Sequence, residues 1–193
     1  MTTPPLPQTR RNRTMLLVIA GIFFGTLLIA GALRFSGWQP AATQAHGELL
    51  QPPRDLRAVV PQLADGRAYH WRPADRTWRI ALAPPADCSA ACLKLGGQLD
   101  TVWQLMGQDA DRVHVLWIGE PPAAMTRFAP LRVLRPNDAL RNGLPHIAPA
   151  PGEDPHGIPV FVIDPNGFVI MRYPPGFDPA GLRADMAKLL KLM

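Results

Sequence analysis

The chain has 193 residues, a formal net charge of +5, 47% hydrophobic residues and 23 prolines. That apolar content is enough for a packed core and excludes a wholly disordered chain, while prolines at this density exclude long helices outside any apolar span. Three of the positive charges, Arg10, Arg11 and Arg13, precede an uncharged stretch, so no basic face is left to bind nucleic acid.

Residues 1–14 are polar, basic and proline-containing, and read as a disordered cytoplasmic tail. Met15 to Leu33 then gives 19 consecutive residues without a charge. At about 1.5 Å per residue that stretch crosses the roughly 30 Å hydrocarbon core of a bilayer as one transmembrane helix. Three arginines before it and one, Arg34, after it predict a cytoplasmic N-terminus. The remainder then faces the opposite side, which in a bacterial inner membrane is the periplasm. A cleaved leader competes with this reading because Ala30-Gly31-Ala32 resembles a cleavage site. The apolar run nevertheless exceeds the roughly 7–15 residues of a leader's apolar core, which favours an anchor.

Residues 34–46 read as a linker and 47–193 as one periplasmic domain. Gly47 to Pro61 is an extended, proline-bearing lead-in, and Leu63 to Trp71 is expected as a hairpin turned at Asp65-Gly66. The stretch from Trp78 up to the Pro84-Pro85 turn reads as a short buried strand, followed by a helix running to about Met106. Val113 to Ile118 is the next strand. A short helix is expected near Ala123 to Phe128, a short strand at Leu131 to Leu134 and a helical turn at Asp138 to Asn142.

Ile158 to Ile163 is a continuous apolar run, as in a strand buried on both faces, and Asp164-Pro165-Asn166-Gly167 is a strong turn signal. Phe168 to Tyr173 returns as its antiparallel partner. A last helix, capped at Asp178-Pro179, carries Leu182, Met186, Leu189 and Leu190 on one stripe. This order predicts an α/β, thioredoxin-like domain with a central mixed β-sheet. Trp103, Trp117, Phe161 and Phe168 are expected in its core.

The two cysteines, Cys88 and Cys92, fall in the first turn of the helix after the Pro84-Pro85 turn. At i and i+4 they share one face, so the sulfurs can hold a metal ion together or close a disulfide. The helix N-terminus favours thiolate over thiol, whereas Asp87, expected as the N-cap, opposes thiolate formation and helps to retain a cation. An exported protein can also keep such a pair as an inert disulfide. Set against that reading, a bridge closing so short a loop constrains the unfolded chain little.

From the N-terminal anchor, the strand leading into Cys88-x-x-x-Cys92, the later His156 and the segment IPVFVIDPNG after it, residues 47–193 resemble the Sco (SenC) family. These are thioredoxin-fold, membrane-anchored copper proteins of cytochrome c oxidase assembly. Gly47-Glu48-Leu49-Leu50 through Pro52-Pro53 resembles small Sco-like proteins of proteobacteria. Ser89 and Leu93 stand where the family usually has proline, and its acidic, proline-rich signature is reduced to Gly119-Glu120-Pro121-Pro122.

The resemblance implies a copper site, Cu(I) or Cu(II), held by Cys88, Cys92 and His156. The function it implies is that of a metallochaperone delivering copper to cytochrome c oxidase subunit II, or keeping that site's thiols reduced, with subunit II or another oxidase assembly factor as partner. Two thiolates and an imidazole suit Cu(I). His146 is the reserve ligand, while His46, His70 and His114 read as structural or solvated. Gly157-Ile158-Pro159-Val160 is similar to the thioredoxin segment whose cis proline packs on the redox cysteines. That similarity supports an alternative, a thiol-disulfide oxidoreductase using Cys88 and Cys92 as its redox pair. A third reading is a non-catalytic thioredoxin-fold subunit that binds an oxidase component.

Overall fold

The computed structural model describes residues 8–36 and 45–192, in two compact units that divide after Gln44. The first unit holds helix α1, Gln8–Phe35. Its stretch Asn12–Phe35 is long and apolar enough to cross a membrane. Helix α1 begins inside the segment expected to be disordered, because Gln8, Arg10 and Arg11 are good helix formers and extend its backbone ladder. The tail's residues 1–7 and the linker's residues 37–44 lie outside the described residues.

The second unit is built on a six-stranded sheet of order β1-β6-β5-β2-β3-β4. Its strands are β1 (Glu48–Asp55), β2 (Trp78–Leu82), β3 (Val113–Ile118), β4 (Leu131–Leu134), β5 (Val160–Ile163) and β6 (Phe168–Tyr173). The pairs β2–β3 and β3–β4 are parallel, while β2–β5, β5–β6 and β6–β1 are antiparallel. The mixed thioredoxin-like sheet is therefore present. Pro52 and Pro53 sit in β1, an edge strand with an irregular register between Leu49 and Arg54, the one kind of strand that tolerates missing N–H donors.

Helices α2 (Ala90–Gln104), α3 (Asp138–Asn142) and α4 (Pro179–Leu190) complete the unit. Alternation along the strands divides the core between two faces. Ile80, paired with Val115 and Val162, packs with Leu95 and Leu99 of α2 and Leu182 and Met186 of α4. Their neighbours Ala81, Leu116 and Phe161 join Leu134, Leu140 and Leu144 on the other face. Helix α3 forms because Asn137 accepts from the Leu140 N–H at 2.9 Å. At the β5–β6 turn Asp164 Oδ1 accepts from the N–H groups of Gly167 and Phe168, both at 2.8 Å. Gly167 has φ of +102° and lies under the Trp71 ring, so that turn needs glycine.

Three expectations change. The segment Leu63–Trp71 turns at Asp65-Gly66, but it makes only isolated bridges, Gln62 to Ala68 and Leu63 to Leu134. Leu63 pairs with the β4 edge, and the Trp71 indole leaves to donate to the Val59 carbonyl at 2.7 Å. No helix forms over residues 123–128, where a single turn closes from Met125 N–H to the Pro122 carbonyl at 2.9 Å. Trp117 and Phe161 are fully buried, whereas Trp103 and Phe168 are half-buried, Phe168 lying under the Arg57 guanidinium.

Ile80 lies in the centre of the sheet with no exposed surface. Ile80→Ala in the full chain in detergent should lower unfolding free energy by about 2–5 kcal/mol, read from a denaturant melt by near-UV circular dichroism. A cost below about 1 kcal/mol would contradict this packing.

Candidate functional site: the cysteine pair and its groove

Strand β2 is buried along its whole length, apolar except for Arg79, which donates to the Tyr69 hydroxyl and the Asp164 and Pro165 carbonyls, and it delivers the chain to the sheet's C-terminal edge at Ala83-Pro84. Open α/β sheets place their reactive groups beyond the carboxyl ends of parallel strands. The Cys88 N–H donates to the Pro85 carbonyl at 3.2 Å, which curls residues 85–88 into a turn ahead of α2. Cys88 therefore precedes the helix. The N-cap is Ser89 and not Asp87; the Ser89 side chain makes no capping hydrogen bond, and Asp87 is exposed. Cys92 is in the first turn and only 1% exposed.

Cys88 and Cys92 form a disulfide with Cα atoms 5.7 Å apart. Cys88 is half-buried and lines a groove of about 560 Å³ together with Pro85, Asp87, Arg141, His156 and Pro159. The two sulfurs thus differ in access: Cys88 is reachable from the groove, and Cys92 is sealed beneath it.

His156 is exposed and shares that groove, held by its own N–H donating to Asp154 Oδ1 at 3.0 Å. The structure thus brings His156 and Cys88 to one surface. Among the described residues, however, no group of three or more His, Cys, Asp or Glu side chains stands close enough to hold a metal ion. Sulfurs bonded to each other are not thiolate ligands, so this disulfide form does not fit copper.

The other histidines lie elsewhere. His46 donates its backbone N–H to Asp185 Oδ2 at 2.6 Å, and its Nδ1 lies 3.2 Å from Oδ1. His114 contacts the Tyr69 hydroxyl at 2.8 Å and is lowered to about 4 by burial and by the nearby Arg132 and Arg79 charges. His70 is exposed beside Arg72 and His114, and His146 contributes its carbonyl to Arg172. The Ile158–Pro159 bond is not cis; the cis peptide bond among the described residues is Gln51–Pro52. The expected cis proline is absent, although Pro159 lines the groove with Cys88.

The clamp on the His156 loop escaped sequence reading. Arg172, 2% exposed in β6, donates to Glu153 at 2.8 and 2.7 Å, to Glu48 at 3.1 Å and to the His146 carbonyl at 3.1 Å. Glu153 also accepts from the Ala150 N–H at 2.9 Å. One guanidinium thus fixes both ends of the 146–153 segment that leads to His156. A lone charge inside the apolar strand FVIMRY is the signal that could have revealed a buried ionic partner.

A family profile described as transmembrane-like, thioredoxin-like, C-terminal domain matches residues 78–193. No curated protein matches the sequence. Among solved structures the chain is similar to BsSco, described as a Sco-family cytochrome c oxidase assembly protein with a disulfide switch (13% identity, 76% of this chain, 95% of that one, TM-score 0.52). It is also similar to a SCO1/SenC family lipoprotein from Bacillus anthracis str. Ames (14% identity, 72% and 98%, TM-score 0.52). A third is the Xanthomonas campestris bacterioferritin comigratory protein, described for alkyl peroxide reduction (16% identity, 77% and 99%, TM-score 0.52). At these identities the likeness carries the fold alone, and Sco proteins share that fold with peroxide-reducing ones.

The Arg172 hydrogen bonds hold Glu153 down from an ordinary 4.5 to about 2. A depressed carboxylate stabilises the folded loop fully above its unfolded value, and this contribution is lost as pH falls from about 4.5 toward 2. Amide protection over residues 146–156, the exchange rate referred to the intrinsic rate at each pH, should therefore fall across that window. Glu153→Gln should show low protection already at pH 6, with little further change on acidification. Unchanged protection in the variant would show that the clamp does not order the loop.

Proposed function

We propose that this chain, which belongs to the transmembrane-like, thioredoxin-like C-terminal domain family, is a membrane-anchored Sco-like thiol-disulfide protein of cytochrome c oxidase assembly. The observation that carries the reading is the Cys88–Cys92 bond at the end of β2, one sulfur open to a groove shared with His156 and the other buried. The arginines flanking the apolar span support an N-in orientation, with the domain in the periplasm of a bacterial inner membrane.

The pair works as a two-electron couple. A dithiol reductant converts the disulfide to two thiols, supplying two electrons and two protons. The helix N-terminus beside Cys88 favours its thiolate. Cys88 then attacks a target disulfide, one target sulfur leaves as a thiolate, and a mixed disulfide forms. Cys92 attacks Cys88 in turn, which releases the second target sulfur and restores the Cys88–Cys92 bond. The target gains two electrons and becomes a dithiol. We place that target in the copper site of oxidase subunit II.

Copper enters as cargo. Reduction frees two sulfur donors, and His156 on the same groove supplies an imidazole, a set that suits Cu(I). Reoxidation removes both thiolates and expels the ion. BsSco, with its disulfide switch, and Arabidopsis thaliana ScoI, whose structure has copper bound (13% identity, TM-score 0.50), support this use of the fold. Thiol-disulfide exchange without copper is the second reading, favoured by the lack of a ligand cluster among the described residues.

The reduced full chain in detergent should retain one Cu(I) against a competing chelator, Cys88→Ser should retain none, and His156→Ala should bind at least about 10–100-fold more weakly. In parallel, Cys92→Ser should trap a mixed disulfide with a subunit II copper-site peptide, and Cys88→Ser should not. Trapping without copper uptake would leave thiol exchange as the function. Failure of both would overturn the proposal.

A further inference from the structure

Cys88 borders a second cavity, of about 370 Å³, lined also by Ala86, Glu120, Pro122, Met125 and Arg127. Met125 reaches it because Gly119, at φ +114°, and the following prolines bend the chain after β3. The turn closed by the Met125 N–H and the Pro122 carbonyl then carries its side chain back toward α2. Met125 is half-buried, and its Sδ lies over Gly96, only 2.7 Å from where a Cβ on that residue would stand. Any side chain at Gly96 would displace the thioether.

Gly96 is one helical turn beyond Cys92 on the same face of α2, and the disulfide holds Cys88 against Cys92. Glycine inside a helix is unfavourable. Here its bare backbone lets a sulfur settle one turn from the cysteine pair. Met125 has three rotatable bonds and packs with Cys88 and Cys92 in one cluster. A purely apolar filler would need no sulfur. The cavity shared with Cys88 places one beside a redox-active pair, and thiolate and thioether donors together select Cu(I).

We propose that in the reduced protein Met125 Sδ is a Cu(I) ligand alongside the Sγ atoms of Cys88 and Cys92, approaching from a different cavity than the one His156 lines. The inference rests on the copper reading above and names a donor that reading lacks. Loading is a ligand exchange. Cu(I) leaves a chelator, the two thiols release their protons as they bind, and copper keeps its oxidation state.

The test uses the full chain in detergent, with selenium in its seven methionines, reduced by a phosphine and loaded from a Cu(I)–bicinchoninate complex. Selenium absorption fine structure should show a copper neighbour for one selenium in seven. The volume-conserving Met125→Leu variant should lose that signal and bind Cu(I) at least about 10-fold more weakly while keeping its thermal midpoint. If wild type binds one Cu(I) with no copper–selenium scattering and Met125→Leu binds equally tightly, Met125 is not a ligand and the copper reading stands. No uptake by the reduced wild type overturns both.

Discussion

Burial of β2 on both faces, with Ile80 against α2 and α4 and Ala81 against the opposite layer, fixes where the chain emerges from the sheet. A strand held so firmly ends at one place, and Pro84-Pro85 then allows only a tight turn before α2 begins. Cys88 and Cys92 stand on either side of that helix start. Their unequal exposure follows from position alone: the residue before the helix faces the groove, and the residue in its first turn faces the core. The proposed division into an attacking and a resolving sulfur therefore rests on packing.

Two buried networks centred on neighbouring residues of β6, Arg172 and Tyr173, tie the surrounding segments to this frame. Arg172 faces the layer opposite α2 and α4 and gathers Glu48, Glu153 and the His146 carbonyl. Tyr173 faces the other way and donates to Asp185 at 2.9 Å, which also accepts from the His46 and Gly47 N–H groups. Burial alone would raise Asp185, but these hydrogen bonds outweigh it and hold its carboxyl below the ordinary range. Adjacent strand residues thus anchor the His156 loop on one face and the domain's first residues on the other.

Elements with strong periodicity or turn chemistry were legible in the sequence. Strands β2, β3 and β6, the turn at Asp164–Gly167 and the stripe on α4 all appear where apolar spacing placed them. The Leu63–Trp71 segment doubles back at Asp65-Gly66 as read, with Gln62 bridging Ala68, but grows no further because Leu63 pairs with Leu134 and Trp71 bonds Val59; the helix near Ala123 is reduced to one turn closed on Pro122. At the site, the cysteine pair was legible from spacing. The Arg172–Glu153 clamp and the Met125–Gly96 contact were not, since each joins residues far apart in sequence through side chains whose types are common everywhere. The N-cap moved from Asp87 to Ser89, within the ordinary uncertainty of where a helix starts.

The central claim is that the Cys88–Cys92 bond is a working redox couple and not a structural brace. Equilibrating the full chain in defined thiol-disulfide buffers, and counting alkylated cysteines by mass, measures this directly. A working couple is reduced reversibly at a potential within the roughly −270 to −120 mV spanned by thiol oxidoreductases. A pair that stays oxidised to below about −300 mV, as structural disulfides do, would contradict the claim.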